Sequence, residues 1–266
     1  MKLDKYDFLA KHRLAAQDLE SCALDWNVLE AIYFDFIDYA ATYQTQAEFI
    51  ASTLRTHPQI HSVKSRIKEP DRLLEKIIRK TPQRQLTRAA DFQFTLENYK
   101  DEITDLIGIR IIHLFKEDWE EIHNFITATW HVMEITANVR DGDDTTRFEE
   151  LSIKLHSRKS GYRSVHYLIE FFPTNQRVIA EIQVRTIFEE GYGEIDHQLR
   201  YCHKEIPEIL ASNLLLFNRI AGSSDEMASF IHLLNKNLIE IQDQYDAVLQ
   251  KKDAEIRRLS DLLQQK

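Results

Sequence analysis

The sequence is short of the residues that several common architectures require. It holds two cysteines, Cys22 and Cys202, so at most one disulfide can form and a multi-cysteine zinc site is excluded. Both read as ordinary thiols that behave as small hydrophobes. Six glycines and five prolines punctuate 266 residues, which favours long helices and nearly excludes a phosphate loop built on several glycines. No apolar run approaches the ~20 residues that span a bilayer. Residues 1–11 lack the apolar core of a secretory signal, so a cytoplasmic protein with no membrane partner is expected. The dipeptide His-Asp, needed by metal-dependent phosphohydrolases of that type, occurs nowhere. Basic residues are the minority, 34 against 43 acidic ones for a net charge of −9, which argues against a general nucleic-acid binder.

What is present is enough to fold. Fourteen Phe, ten Tyr and an apolar share of 43% exclude disorder of the whole chain. At roughly 100–200 residues per domain, the length admits one well-buried domain with appendages, or two small ones.

Charge is segregated along the chain. Between Lys64 and Arg88 nine basic residues meet three acidic ones, giving +6 in 25 residues and leaving −15 elsewhere. Pro70 and Asp71 suit the first turn of a helix, whose buried face is Leu73, Leu74, Ile77 and Ile78 and which is expected to end near Pro82. A short strand, His61–Ile67, precedes it. Before that, residues 2–56 carry helical spacing, clearest at Val28, Leu29, Ile32, Tyr33, Phe36 and Ile37. Strands are expected at 106–115, 130–139, 150–156, 163–172 and 177–185, with a helix at 117–129 and a turn at Asp141-Gly-Asp-Asp144. After Thr186 the pattern is helical to Lys266. Its last part has heptad-like positions at Leu234, Leu238, Ile241, Tyr245 and Val248, broken at Lys252 and Glu255 and resumed at Ile256, Leu259 and Leu263. Strands flanked by helices imply an α+β class, divided as an N-terminal helical region 1–56, a core domain 57–205 and C-terminal helices 206–266.

Four segments carry residue types suited to polyphosphate and a divalent metal. In the basic helix, with Arg66 and Lys68 before it, Lys76, Arg79 and Lys80 recur at spacings of three and four, so one phosphate chain can meet several of them. Asp105-Leu-Ile-Gly-Ile-Arg110 puts an acid at the mouth of an apolar strand, a hard oxygen ligand suited to Mg²⁺. Parity places Asp105 and Arg110 on opposite faces unless Asp105 lies in the preceding turn. In Arg158-Lys-Ser-Gly-Tyr-Arg-Ser-Val-His166, Tyr162, Ser164 and His166 share a face, and the Tyr162 ring offers a platform for a nucleobase. In Glu181-Ile-Gln-Val-Arg-Thr186, Glu181, Gln183 and Arg185 line one face and Ile182 and Val184 the other. Downstream, Glu194 and His197 stand three apart in a helix.

These segments in this order resemble the synthetase domain of the RelA/SpoT family, specifically the single-domain small alarmone synthetases, over roughly Ser62–Tyr201. The resemblance implies a nucleotidyltransferase-like mixed sheet with helical extensions. It implies transfer of the β,γ-pyrophosphate of ATP to the 3′-hydroxyl of GDP or GTP, yielding the stringent-response alarmone (p)ppGpp. By the same resemblance Arg66, Lys68, Lys76 and Arg79 hold the ATP phosphates. Asp105 and Glu181 bind Mg²⁺, and Glu181 also orients or deprotonates the 3′-hydroxyl. Tyr162 stacks on guanine, His166 contacts the acceptor's phosphate or ribose, and Arg110, Arg158, Ser160, Gln183 and Arg185 support the site. Relatives of this size are often tetrameric, so a homo-oligomer is among the expectations.

The chain departs from the family pattern at Arg72, where Ser is usual, at Ser160, where Asn is common, and at Tyr192-Gly193, where a Trp is usual. The family's N-terminal hydrolase domain is missing, so the chain is expected to make the product and not degrade it. Two other readings follow. One keeps the chemistry but takes the tRNA 3′-end or an adenine nucleotide as acceptor, as toxic relatives do, with an antitoxin as partner. The other is a non-catalytic nucleotide sensor.

Overall fold

Alternating polar and apolar residues in the middle of the chain become strands. The computed structural model describes residues 3–202 and 206–264. Its strands are β1 (Ser62–Ile67), β2 (Ile107–His113), β3 (His131–Val139), β4 (Lys154–Ser157), β5 (Ser164–Phe171) and β6 (Val178–Thr186). They form one mixed sheet in the order β1-β2-β6-β5-β3-β4. The β2/β6 and β3/β4 pairs are parallel and the others antiparallel. The class is the expected one, α+β with a mixed sheet flanked by helices.

The two faces of the sheet differ because strand residues alternate. Ile109, Ile111, Tyr167, Ile169, Ile182 and Val184 are buried on one face. Helix α3 (Trp26–Leu54) packs against β1 and β2. It starts where the Asp25 carboxylate accepts the Asn27 N–H, and it buries Leu29, Ile32, Phe36, Ala47, Ile50 and Leu54, while Ile37 turns to solvent. Helices α1 (Lys5–His12) and α2 (Ala16–Glu20) precede it, separated by left-handed residues at Arg13 and Ala23, so the N-terminal helical pattern is three helices. Residues from Phe8 to Val184 share one hydrophobic core, so the N-terminal helices and the sheet bury each other.

The opposite face is polar. Lys64, Arg110, Gln183 and His166 form one cross-strand row, and Arg66, Gly108 and Glu181 the next.

Three elements differ from expectation. Helix α4 (Pro70–Thr87) continues through Pro82. Proline removes one backbone donor and crowds the preceding turn, but the buried residues before it, Leu73 to Thr81, anchor the helix across the break. The segment expected as strand 150–156 instead starts in helix. After α5 (Tyr99–Glu102) and α6 (Asp118–Thr129) comes α7 (Thr146–Glu150), and a left-handed Ser152 lets β4 begin only at Lys154. The C-terminal helix is two, α8 (Ile187–Cys202) and α9 (Glu208–Gln264), α9 beginning just after Pro207. Cys22 is buried and free, whereas the side chain of Cys202 lies outside the described residues, as do Gln265 and Lys266. No described helix is long and apolar enough to cross a membrane.

Candidate active site

Asp105 lies in the turn before β2, as parity requires if it is to act on the same face as Arg110. Lys68, just past β1, and Lys76, on α4, both bond its Oδ2, at 2.7 and 2.6 Å. Asp105 Oδ1 is buried and has no hydrogen-bond partner. Burial pushes this carboxyl up, but Lys76 and Lys68 outweigh it and hold it at about 2. Lys68 lies below the ordinary lysine range, chiefly through burial, with the Asp105 charge opposing and neighbouring Lys76 and Arg66 adding to the shift. Lys80, one turn beyond Lys76, is lowered by burial and by Lys76 in the same way. Arg79 is exposed and no ion pair joins it to this cluster, whereas Lys80 is close enough to feel the charges of Lys76 and Asp105. Arg66 arches over Gly108, where an added Cβ would sit 3.4 Å from its Nε.

On β6, Glu181, Gln183 and Arg185 line up as the alternation predicts. Two hydrogen-bond chains run from Arg185 to the two oxygens of Glu181. In one, Arg185 Nη2 donates to Gln183 Oε1 at 2.7 Å and Gln183 Nε2 to Glu181 Oε2 at 2.8 Å. In the other, Arg185 donates to the Tyr162 hydroxyl. That hydroxyl lies 3.2 Å from His166 Nε2, and His166 Nδ1 lies 3.1 Å from Glu181 Oε1. The tautomer that satisfies both contacts carries its proton on Nδ1 and accepts from Tyr162 on Nε2. Burial raises Glu181, yet the bond from His166 and then Gln183 bring it below the usual carboxylate range. It is therefore an anion at neutral pH.

Helix α8 supplies carboxylates to the same face. Glu190 Oε1 accepts from Arg110 Nη1 at 2.7 Å, and Glu190 Oε2 from Arg185 Nη1 at 3.0 Å. Glu194 also accepts from Arg110. Buried Glu190 thus ties Arg110 and Arg185 together.

The segment before β5 is held from behind. Arg158 Nε donates to Asn138 Oδ1 at 2.6 Å, the Ser160 hydroxyl accepts the Tyr162 N–H at 3.4 Å, and the Tyr192 hydroxyl donates to the Ser160 carbonyl. Gly161 has φ +76°, and an added Cβ would meet Asn218 Oδ1 of α9 at 2.7 Å. Asn218 Nδ2 in turn donates to the Gly161 carbonyl at 2.8 Å. Glycine is required here on both counts. The Tyr162 ring carries the Arg185 guanidinium 4.7 Å from its centroid.

Residues 65–206 match the family described as "Region found in RelA / SpoT proteins". The chain belongs to the RelA/SpoT family. GTP pyrophosphokinase YwaC of Bacillus subtilis (strain 168) is 25% identical over 236 residues, 86% of this chain and 96% of that protein. Among solved structures, small alarmone synthetase 1 from Bacillus subtilis superposes with a TM-score of 0.60 at 22% identity, covering 76% of this chain and 98% of that one. The same synthetase bound to its product pppGpp gives 0.58 at 23%, covering 74% and 96%.

Within this RelA/SpoT region the structure gathers Lys68, Lys76 and Asp105 into one cluster. Arg110, Tyr162, His166, Glu181, Gln183 and Arg185 form the second. Arg158 and Ser160 belong to the loop beside it. Asp105 and Glu181 are near enough for the charge on one to raise the pKa of the other. Sequence reasoning missed Glu190 and Asn218. Asn218 carries no local signal, being a single amide in a long helix. Glu190 sits four residues before Glu194 on one helix face, which hints at a shared target but not at which strand supplies it.

Proposed function

We propose that this chain is a pyrophosphokinase that moves the β,γ-pyrophosphate of ATP onto the ribose 3′-hydroxyl of GDP or GTP, giving (p)ppGpp and AMP. The observation that carries the reading is Asp105, neutralised on one oxygen by Lys68 and Lys76, orphaned on the other, and facing the anionic Glu181 across the neighbouring strand. The names of the relatives above support it.

An orphaned buried carboxylate oxygen beside a second carboxylate fits Mg²⁺, which takes one or two protein carboxylates and completes its shell with water and substrate phosphates. That chemistry needs no cluster of three acidic or imidazole ligands, and among the described residues there is none. Asp105 and Glu181 would hold the ion, which when bound supplies a template and a Lewis acid for the phosphates.

The side chains account for the rest. Lys68, Lys76, Lys80 and Arg66 offset the charge of the ATP polyphosphate and fix its line of approach, and such positioning and electrostatic stabilisation dominate phosphoryl-type transfer. The acceptor 3′-oxygen forms a bond to the β-phosphorus while the bond from that phosphorus to the α-bridging oxygen breaks, releasing AMP. Glu181 takes the hydroxyl proton, and its two hydrogen-bond chains keep it oriented and ionised until then. Tyr162 borders the acceptor loop, with one ring face on Arg185 and the other turned to the acceptor base.

The test is purified protein with γ-labelled ATP, Mg²⁺ and a mixture of GDP, GTP, AMP, ADP and tRNA. Label in a 3′-pyrophosphorylated guanine nucleotide, with AMP released in equal amount, is the expected result. Label in tRNA or adenine nucleotides would reassign the acceptor, and nucleotide binding without turnover would leave a sensor.

A further inference from the structure

Helix α9 begins at Glu208, past the RelA/SpoT region that ends at residue 206. Its buried stripe is unlike that of a helix packed for stability alone. Leu214 and Ala221 are apolar, but Asn218, Asp225 and Ser229 are polar, and Gly222 lies among them. An amphipathic helix ordinarily turns its apolar stripe to the body and its polar residues to water. Here the buried polar residues are aimed at one end of the sheet.

Two of their contacts bracket Tyr162. Asn218 Nδ2 donates to the Gly161 carbonyl at 2.8 Å. One turn on, the Arg163 guanidinium lies so close to Gly222 that an added Cβ would sit 2.8 Å from its Nη2. Arg163 is not loose, since its side chain is buried and its Nε donates to Asp143 at 2.8 Å. Helix α9 therefore bears on the residue before Tyr162 and on the residue after it. A small apolar cluster of Leu214, Ala221 and Tyr192 seats α9 on α8, and Tyr192 itself donates to the Ser160 carbonyl. We propose that Asn218, Gly222 and Asp225 are positioning residues for the acceptor, fixing the backbone on both sides of Tyr162. This rests on the reading of Tyr162 as part of the acceptor site.

Asp225 makes the grip sensitive to pH. It is fully buried one turn beyond Gly222, and neither of its carboxylate oxygens has a hydrogen-bond partner. Burial and then the Glu189 charge from α8 push it up to about 7, while the Thr186 hydroxyl, Lys116 after β2 and Arg163 before β5 pull the other way. Lys116 and Arg163 each already serve another carboxylate, Glu226 at 3.8 Å and Asp143. Two histidines close by are engaged elsewhere: His113, level with Thr186 in the sheet, donates from Nδ1 to the Phe115 carbonyl at 2.8 Å, and the His232 ring stacks on Phe115. Protonated, Asp225 is a neutral group in its seat. Ionised, it is a buried charge without a donor, so α9 sits less firmly as pH rises through about 7.

Hydrogen exchange of the full chain reads the grip without substrate. At pH 7, Asn218→Ala should speed exchange in residues 158–164 by roughly tenfold and leave residues 178–186 of β6 unchanged. Gly222→Ala should do the same, although alanine favours the helix itself. Against wild type at the same pH, Asp225→Asn should slow exchange in 158–164 at pH 8.5 and match it at pH 6. In turnover, Asn218→Ala and Gly222→Ala should raise KM for the acceptor by roughly three- to tenfold while KM for ATP holds. The acceptor KM of wild type divided by that of Asp225→Asn should climb between pH 6 and pH 8.5, by up to about tenfold for one group titrating near 7. Exchange in 158–164 unmoved by both Asn218→Ala and Gly222→Ala would overturn the proposal. So would KM for ATP and for the acceptor rising together with a fall in Tm, the mark of a merely structural helix. A wild type to Asp225→Asn ratio that stays constant with pH would remove Asp225 from it. A wild type that makes no 3′-pyrophosphorylated nucleotide would refute the proposed activity instead, and the exchange results are read independently of it.

Discussion

At the scale of single residues, the site is a set of charges whose neighbours decide their state. Glu181→Gln keeps the shape and removes the carboxylate proposed as the base, so turnover should fall by roughly 10²–10⁴-fold with Tm little changed, as kinetics and a melting curve will show. Glu190 acts at one remove. Glu190→Ala leaves Arg185 buried without its carboxylate, and breaking a buried pair typically costs about 3–5 kcal/mol. Arg110 keeps Glu194, so the damage should concentrate on the Arg185 chains to Glu181, and Glu190→Gln should restore stability more than kcat. Asp105 gives a pH signature. A carboxyl held at about 2 in the fold against an ordinary 3.8 contributes stability that is full above the unfolded value and lost as pH falls through the folded one. That contribution is about 2 kcal/mol. Denaturant curves should therefore show the gap between wild type and Asp105→Asn shrinking by about 1 kcal/mol between pH 5 and pH 3.

At the scale of elements, what was legible in the sequence followed period and punctuation. The strands that carry the site alternate cleanly, so Glu181, Gln183 and Arg185 could be put on one face from the sequence, and the parity of Asp105 and Arg110 already required the turn that β2 shows. Misreadings came where local chemistry was overruled. Pro82 did not end α4 because the apolar face before it is fully buried. The link between α8 and the sheet is tertiary and left no trace in the chain beyond two glutamates four apart. The loop before β5 makes the sharpest test of an element. Gly161→Ala forces a side chain into a left-handed position and against Asn218, which should cost about 1–3 kcal/mol. KM for the acceptor should rise while KM for ATP holds. Combining it with Asn218→Ala should recover part of the loss, a non-additivity that marks direct contact.

At the scale of the whole molecule, the net charge of −9 concealed a basic face. Of the +6 stretch between Lys64 and Arg88, Lys64, Arg66, Lys68, Lys76 and Lys80 gather at the polar side of the sheet and around Asp105, a segregation of charge that can focus a local positive field within an acidic chain. Because the Debye length falls from about 10 Å at 0.1 M salt to about 3 Å at 1 M, kcat/KM for ATP should drop several-fold across that range, with kcat less affected. The same basic residues have another consequence, set by where β1 sits. It is the outermost strand beside β2, and an outer strand offers unpaired backbone donors and acceptors to any passing extended chain. Lys64 and Arg66 stand exposed along that rim, so pairing of β1 with β1 of a second copy would bring cation near cation. Neutralising Lys64 and Arg66 to test the proposed ATP contacts is therefore expected to make that rim more prone to association as well.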